Sequence, residues 1–213
     1  MRESTVVLGV LGVLVGLAGL VLAPAGPAAA VTRPPGLIAT TDLPPTYTAS
    51  PPTTSSTLSA LIVDAAACTE TPVPITGLTE VQSVVFSRSG ATTPDIVTET
   101  VVSFPKAKAA RAAYAAQAKS AKAGEVCGNV GFVPPGATVP VSTVAIATVK
   151  AAPAGDASFA SGAHATGTAV TTSYVTFRRG PYVVTVSASA GPDGVDVAAL
   201  DRTVGVAEKR LKG

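Results

Sequence analysis

The stretch from Asp95 to Cys127 constrains the fold of this chain most strongly, because it contains a strand, a helix and a cysteine in one continuous run. The β-branched residues between Asp95 and Phe104 favour an extended chain, since branched Cβ atoms fit a pleated sheet and crowd a helix turn. Pro105 has the fixed φ of a first helical residue, and an Ala/Lys run continues to Gly124, a helix-terminating residue. The sequence therefore predicts a strand, then a helix of about five turns, with Cys127 just beyond it.

Two stripes of side chains on this helix predict how it packs. The small stripe consists of Ala107, Ala110, Tyr114, Ala118 and Ala121. The basic stripe consists of Lys108, Arg111, Lys119 and Lys122, extended by Lys106. Because the less polar face of a helix is the one buried against a sheet, we expect the small stripe to face the sheet and the basic stripe to face solvent. The alternative for the basic stripe is attraction to an anionic envelope polymer or to phospholipid head groups.

The beginning of the chain predicts export. A basic start precedes the apolar run Val6–Leu22, and the small residues Ala28–Ala30 form a signal-peptidase site. We interpret residues 1–30 as a signal peptide that is removed before Val31, and residues 31–213 as one secreted domain. The alternative is an uncleaved membrane anchor, because the apolar run is near the lower length limit for crossing a bilayer.

The cysteines predict one disulfide. Cys68 and Cys127 are the two cysteines of the chain, and an even number in an exported protein indicates a bridge. Closing this loop is expected to stabilise the fold by about 4 kcal/mol, by lowering the entropy of the unfolded chain. The C-x-x-C spacing of a redox pair and the neighbouring ligands of a metal site are absent from the sequence.

The remaining sequence predicts strands and helices without regular βαβ alternation. Val81–Arg88 is expected to pair with the strand that begins at Asp95, and Val141–Lys150 to form a further strand. A hairpin is expected between Tyr174–Arg178 and Tyr182–Ser189. The predicted fold class is therefore α+β, with packed helices on an antiparallel sheet, in one domain with one disulfide.

Less regular stretches connect these elements. Residues 49–56 are predicted to be an exposed Pro/Thr/Ser loop, and Thr57 to cap a short helix that ends near Cys68. Thr69–Thr79 and Asn129–Pro140 are predicted to be irregular, because both contain proline and glycine. A final helix carries Val197, Leu200, Val204, Ala207 and Leu211 on one side, with Asp193 or Asp196 as its cap.

The order of several short motifs carries a resemblance. They are a Leu37–Tyr47 opening, Cys68, the FPKAKAA run of Phe104–Ala110, Cys127, a GDAS loop at Gly155–Ser158, an RRG turn at Arg178–Gly180 and the final Arg210-Leu211. In this order they resemble secreted and lipid-anchored actinobacterial proteins similar to the extracellular sensor domain of the mycobacterial PknH kinase. The resemblance implies an antiparallel sheet with helices and a cleft for an unidentified ligand, without catalytic residues. Here one cysteine pair stands where that sensor has two, and the sequence shows neither a kinase nor a lipid anchor.

The candidate ligand-binding residues are Tyr114, Glu99, Tyr174 and Tyr182. Tyrosines combine an apolar ring with a polar tip, so they suit either a pocket or an amphipathic core, and the same holds for Tyr47. Glu99 lies mid-strand among valines, which predicts either a sheet edge facing water or a polar group in a cleft. We expect a mostly apolar cleft bordered by Tyr114, with the Leu37–Tyr47 opening as one of its walls.

A catalytic alternative depends on His164, the single histidine. Asp156, Ser158 and Ser161 are near it in sequence, but the G-x-S-x-G frame of a hydrolase is absent. Asp156 is expected to build a turn through the amides of Ser158 and Phe159. A metal site would need three or four protein ligands, which the sequence does not supply convincingly.

These observations predict a secreted, non-enzymatic, sensor-like domain without a cofactor, outside the cell and associated with the envelope. Its expected partner is an unknown small molecule or an envelope component, and membrane contact is expected only through the signal segment, if that segment is not cleaved. The net charge of +2 is too small to indicate nucleic-acid binding. The alternatives are a cell-envelope hydrolase that uses His164 and a structural wall-associated protein.

Overall fold

The computed structural model describes residues 20–21, 37–88, 95–168, 170–191 and 195–211. Asp193 and the predicted signal peptide with its cleavage site lie outside these residues, apart from positions 20 and 21. Among the described residues, no helix is long and apolar enough to cross a membrane.

The described elements are mostly strands. They are β1 (Leu20–Val21), β2 (Tyr47–Ala49), β3 (Thr53–Ser55), β4 (Ser59–Asp64), β5 (Thr69–Pro74), β6 (Glu80–Arg88), β7 (Ile96–Ser103), β8 (Asn129–Phe132), β9 (Ser142–Ala147), β10 (Ala157–Ala165), β11 (Thr171–Arg179) and β12 (Tyr182–Ala190). The helices are α1 (Ala107–Cys127) and α2 (Val197–Arg210), and a 3-10 turn covers Thr40–Asp42. The strands form one sheet in the order β1-β4-β5-β8-β9-β10-β11-β12-β7-β6-β2, with β3 also paired to β6.

The sheet is mixed, which corrects the prediction of an antiparallel one. Strands β5 and β8 run parallel, and the other pairs are antiparallel. The predicted disulfide is confirmed, and it explains the parallel pair. Cys68 directly precedes β5, and Cys127 lies two positions before the first residue of β8. The Cα atoms of the two cysteines are 5.6 Å apart. Because the linked residues lie at the starts of both strands, the two strands leave the bridge in the same direction.

Strands β4 and β5 replace a predicted helix and a predicted irregular stretch. The apolar run Leu61–Val63 has no clear period, and short runs of this kind fit a helix or a buried strand equally well. Its β-branched members favour the strand, which pairs with β5 along its whole length. Only Thr69 and Glu70 of β5 pair with β8, so beyond Glu70 this side of β5 is a free edge. Pro72 and Pro74 are tolerated there because a free edge needs no N–H donor from proline.

Helix α1 and helix α2 cover opposite faces of the sheet. Along β11, Tyr174 packs beside Ala123 and Cys127 of α1, whereas Val175 and Phe177 pack with Leu200 of α2. This alternation follows from the two-residue period of a strand. The α2 face also buries Leu37 and Ile38 of the opening segment, so that face has two covering elements.

Helix α1 is buried through a face rotated from the predicted one. Its buried residues are Ala110, Gln117, Ser120, Ala121 and Gly124. Ala107 is exposed. Ser120 belongs to the buried face because its Oγ accepts a 2.9 Å hydrogen bond from Val63 N of β4. Gly124 does not end the helix as predicted, since the helix continues to Cys127 and is capped by Gly128, which has a φ of +69°.

The other helical predictions agree more closely. The basic stripe of α1 is exposed, and no ion pair of its members is found in the described part of the chain. Helix α2 begins at its predicted cap, where Asp196 Oδ1 accepts a 3.1 Å hydrogen bond from Ala199 N. The hairpin of β11 and β12 is confirmed, with Arg179 opposite Tyr182 and Gly180 at a φ of +54° in the turn.

Candidate functional site

A cavity of about 940 Å³ lies between α2, the opening segment and the ends of β6, β7 and β12. This volume is within the range of small-molecule sites. Its lining includes Asp42, Leu43, Pro44, Tyr47, Arg88, Asp95, Val97, Ala188, Leu200, Arg202, Thr203, Gly205, Val206 and Lys209. The cavity is on the α2 face of the sheet, opposite α1.

The opening segment is attached to both the sheet and helix α2. Ile38 N donates a 2.6 Å hydrogen bond to Glu99 Oε2 of β7. Asp42 Oδ2 accepts a 2.6 Å hydrogen bond from Ala39 N. The same oxygen pairs at 2.7 Å with Arg210 at the end of α2. These contacts hold the wall of the cavity against both the sheet and the helix.

A hydrogen-bonded trio forms one end of the cavity. Tyr47 OH donates a 2.6 Å hydrogen bond to Asp95 Oδ1, and Arg88 pairs with Asp95 Oδ2 at 2.7 Å. Burial, followed by the hydrogen bond to Asp95, raises the pKa of Tyr47 to about 12. Tyr47 therefore remains a neutral hydroxyl, and the carboxylate of Asp95 has a donor on each oxygen.

The α2 wall contains a glycine where helices usually have a side chain. A Cβ atom built on Gly205 would have open space around it, and Gly205 is among the residues that line the cavity. Glycine in a helix interior destabilises the helix by about 1 kcal/mol relative to alanine. Gly205 thus keeps this wall open at a conformational cost.

The floor of the cavity is apolar and the rim is charged. Leu200 and Val97 belong to the buried core, and Leu43 and Val206 pack against it with part of their surface accessible. Around them the rim carries Asp42, Arg88, Asp95, Asp196, Arg202 and Lys209. An apolar floor suits a small organic molecule, and the charged rim offers groups that could orient one.

The four predicted ligand-binding residues lie outside the lining of this cavity. Tyr114 of α1 packs against Phe159 with ring centroids 5.6 Å apart, and burial raises its pKa. Tyr174 is 5% exposed in the core beneath α1, and burial raises its pKa too. Tyr182 packs against the core of the α2 face. Their role in ligand binding stays a prediction, and their observed contacts are those of core residues.

Glu99 is neither at a sheet edge nor in contact with water. It pairs with Val84 on one side and Val186 on the other, and its exposed fraction is 0%. Its carboxylate instead positions Ile38. The first of the two predicted environments is therefore wrong, and Glu99 acts on the cavity only through the opening segment.

The His164 constellation is not assembled in the described residues. His164 is exposed on β10 and has no side-chain hydrogen bond or ion pair there. Ser161 is three positions away on the same strand, so its side chain points to the opposite face. Across residues 37–88, 95–168, 170–191 and 195–211, no group of three metal-binding side chains is found.

Asp156 has a structural role, with partners that differ from the predicted ones. Its Oδ2 accepts a 3.0 Å hydrogen bond from Gly180 N and pairs at 2.7 Å with Arg178. The backbone hydrogen bond from Gly180 lowers the pKa of Asp156, with further contributions from the arginines. Gly155 has a φ of +60°, and a Cβ there would lie 2.4 Å from the Arg178 carbonyl oxygen, so only glycine fits. These contacts hold the loop before β10 against the β11–β12 turn.

Two signals in the sequence pointed toward the cavity. The sequence predicts the opening segment as a wall of the cleft beside Tyr114, and the segment is a wall of the cavity on the α2 face. Tyr47, which lines that cavity, is one of the tyrosines expected to suit a pocket. A third signal, which is absent from the predictions, is Gly205. A glycine inside an amphipathic helix usually has a packing or functional reason. Arg88, Asp95 and Lys209 carried no recognisable pattern in the sequence.

Comparisons with known proteins support the fold. No protein-family model and no curated protein matches this chain. Among solved structures, the extracellular domain of PknH from Mycobacterium tuberculosis is similar, with a TM-score of 0.52 and 19% identity over 79% of this chain and 86% of that chain. The likeness extends over most of both chains, at an identity that establishes a shared architecture only. The chain therefore shares the architecture of that extracellular domain.

Proposed function

We propose that this protein is an extracellular, non-enzymatic, sensor-like domain that binds a small molecule in the cavity between α2 and the opening segment. The observation that carries the proposal is the cavity itself, with its apolar floor and its rim of paired polar groups. The likeness to an extracellular sensor domain supports the location and the class of function. The cavity favours this proposal over a purely structural wall protein, which would need no such space.

The hydrolase alternative receives less support. Among the residues that the structure describes, no nucleophile is bonded to His164 on β10, and His164 is not part of the cavity lining. A catalytic centre requires a nucleophile and base within hydrogen-bond reach of each other. Binding without chemistry is the function that the geometry supports best.

A titration with the neutral, environment-sensitive dye Nile red tests the proposal. The wild-type protein is expected to bind the dye saturably at one site. Gly205→Phe places a ring in the open space beside α2 and is expected to abolish that binding. Ala115→Phe adds the same ring to the exposed surface of α1 and serves as the matched control. Circular dichroism verifies that both variants are folded.

The result that counts against the proposal is equally specific. If both phenylalanine variants bind the dye as the wild type does, the cavity is not the binding site. If neither the wild type nor either variant binds the dye saturably, the cavity does not accept apolar molecules, and the structural alternative is favoured.

A further inference from the structure

We infer that the ligand of this cavity is an anionic amphiphile, a molecule with one extended apolar chain and one acidic head group. The inference rests on the proposed function, because it concerns the ligand of the same cavity. It comes from the way in which the charged groups of the rim are exposed and paired.

The acidic groups beside the sheet are already neutralised by the protein. Asp95 is 20% exposed and holds both Tyr47 and Arg88. Asp42 is 17% exposed and holds Arg210 as well as the amide of Ala39. A cationic ligand would have to displace these short hydrogen bonds, which are of the charge-assisted kind. The two carboxylates therefore shape the cavity and are poor partners for a ligand.

The cationic groups of the rim are more accessible. The exposed fraction is 48% for Arg88 and 72% for Arg202. Arg202 meets Asp196 only at 3.8 Å, and that carboxylate is itself 66% exposed. Lys209 is exposed, and no ion pair of its ammonium is found among the described residues. Exposed and long ion pairs are weak, so Arg202 and Lys209 can accept an anionic group, whereas Arg88 keeps its short pair with Asp95.

The arrangement on α2 places this positive charge beside the open space. Lys209 is four residues after Gly205, so both are on the same side of the helix. Helical side chains lean toward the preceding turn, which directs the stem of Lys209 over the turn of Gly205. If the acidic head group of the ligand binds Lys209 and Arg202, its apolar chain lies along the floor formed by Leu200 and Val206.

The apolar floor distinguishes an amphiphile from a small inorganic anion. Leu43, Val97, Leu200 and Val206 offer no donors to a compact anion, but each buries surface against an alkyl chain. Carboxylates and phosphates share the chemistry that the rim recognises. The chain length and the head group are therefore tested separately.

The experiment uses the fluorescent probe 11-(dansylamino)undecanoic acid and four competitors at low ionic strength. They are dodecanoic acid, dodecyl phosphate, dodecan-1-ol and inorganic phosphate. We expect both acidic amphiphiles to displace the probe, the alcohol to compete at least about tenfold more weakly, and inorganic phosphate to have no effect. Lys209→Gln and Arg202→Gln are each expected to weaken probe binding about threefold to fivefold, as for exposed charge pairs. Lys119→Gln on α1 is the matched control and should change nothing.

The alternative outcomes separate this inference from the proposed function. If dodecan-1-ol competes as well as the acid, or if both charge variants bind like the wild type while Gly205→Phe abolishes binding, the cavity binds apolar chains without selecting charge. The inference then fails and the proposed function stands. Displacement by inorganic phosphate alone would overturn the amphiphile in favour of a small anion. Probe binding that persists in Gly205→Phe would place the site elsewhere and overturn both.

Discussion

Glu99 and Ile38 are 61 positions apart in the sequence, and the buried carboxylate of Glu99 accepts a 2.6 Å hydrogen bond from the backbone N–H of Ile38. This contact fixes the opening segment on the sheet and thereby forms one wall of the cavity. A buried acid in the middle of a central strand is unusual, because desolvation of a carboxylate is costly unless hydrogen bonds compensate for it.

Glu99→Ala should destabilise the protein and loosen the opening segment. It leaves the buried amide of Ile38 without its acceptor, which costs about 2 kcal/mol. Urea unfolding measures the free energy, and limited proteolysis detects release of residues 37–49. Glu99→Gln keeps an acceptor oxygen and is the control, with a smaller expected loss. Equal stability of Glu99→Ala and the wild type would show that this bond does not hold the segment.

Gly205→Ala should stabilise the protein. A methyl group there has open space around it, and alanine favours the helix over glycine by about 1 kcal/mol. For a domain of this size, the melting temperature should rise by roughly 2–4 °C. A lower melting temperature in calorimetry would mean that the space beside Gly205 is filled in the native protein.

Glu70 should make stability depend on pH. It is 1% exposed at the start of β5, and burial raises its pKa from 4.5 to about 7. In the unfolded chain Glu70 loses its proton near pH 4.5, whereas the folded protein keeps it until about pH 7. The unfolded state therefore binds fewer protons in this window, and the stability contribution of Glu70 falls as pH rises from about 4.5 to 7.

Replacing Glu70 by Gln isolates this effect. The amide cannot ionise, so Glu70→Gln should lose that fall in stability and exceed the wild type above pH 7 by up to about 3 kcal/mol. Urea unfolding at a series of pH values from 4 to 8 measures both proteins. Parallel stability curves for the two would show that Glu70 titrates with an ordinary pKa.

The basic stripe of α1 should be dispensable for folding. Its members are exposed and form no ion pairs in the described part of the chain. Changing Lys108, Arg111 and Lys119 together to Gln is expected to alter the free energy of unfolding by less than about 0.5 kcal/mol. A melting temperature lower by several degrees would indicate acidic partners for this face.

Reduction of the disulfide should destabilise the protein strongly. The bridge closes a loop with a sequence separation of 59 residues, which is worth about 4 kcal/mol of unfolded-state entropy. The paired change of Cys68 and Cys127 to Ser should reproduce the loss seen with a reducing agent. If the paired variant unfolds at the same urea concentration as the oxidised protein, the parallel β5–β8 pair does not depend on the bridge.

Some of this architecture follows directly from local sequence signals. Local preference favours a strand at the β-branched run of β7 and a helix at the Ala/Lys run of α1, and the fold has both. Asp196 likewise caps α2, as its residue type favours. The Cys68–Cys127 bridge follows from a count of two cysteines in a chain with a predicted export signal. In these places local preference and tertiary structure agree.

The errors occur where tertiary contacts decide. Leu61–Val63 is too short to show a period, and its pairing with β5 makes it a strand. The buried face of α1 contains Gln117 and Ser120 as well as alanines, and Ser120 bonds to the backbone of β4. No local pattern signals such a long-range bond.

The cavity lies on the face of the sheet opposite the cleft that the sequence predicts beside Tyr114, for a related reason. The alanines of α1 suggested space beside Tyr114, but small side chains allow the helix to lie close to the strands, and Tyr114 packs against Phe159. The space lies instead beside Gly205, where α2 and the opening segment meet. That meeting depends on the contacts of Glu99 with Ile38 and of Arg210 with Asp42, which join distant parts of the chain.

Native mass spectrometry of the protein recovered from its own culture medium tests the central claim most directly. The account predicts that the wild type and Ala115→Phe carry a non-covalent small molecule that Gly205→Phe lacks, since only the last variant fills the cavity. An adduct retained in full by Gly205→Phe, or wild-type protein whose mass equals that of the polypeptide alone under conditions that preserve the fold, would contradict it.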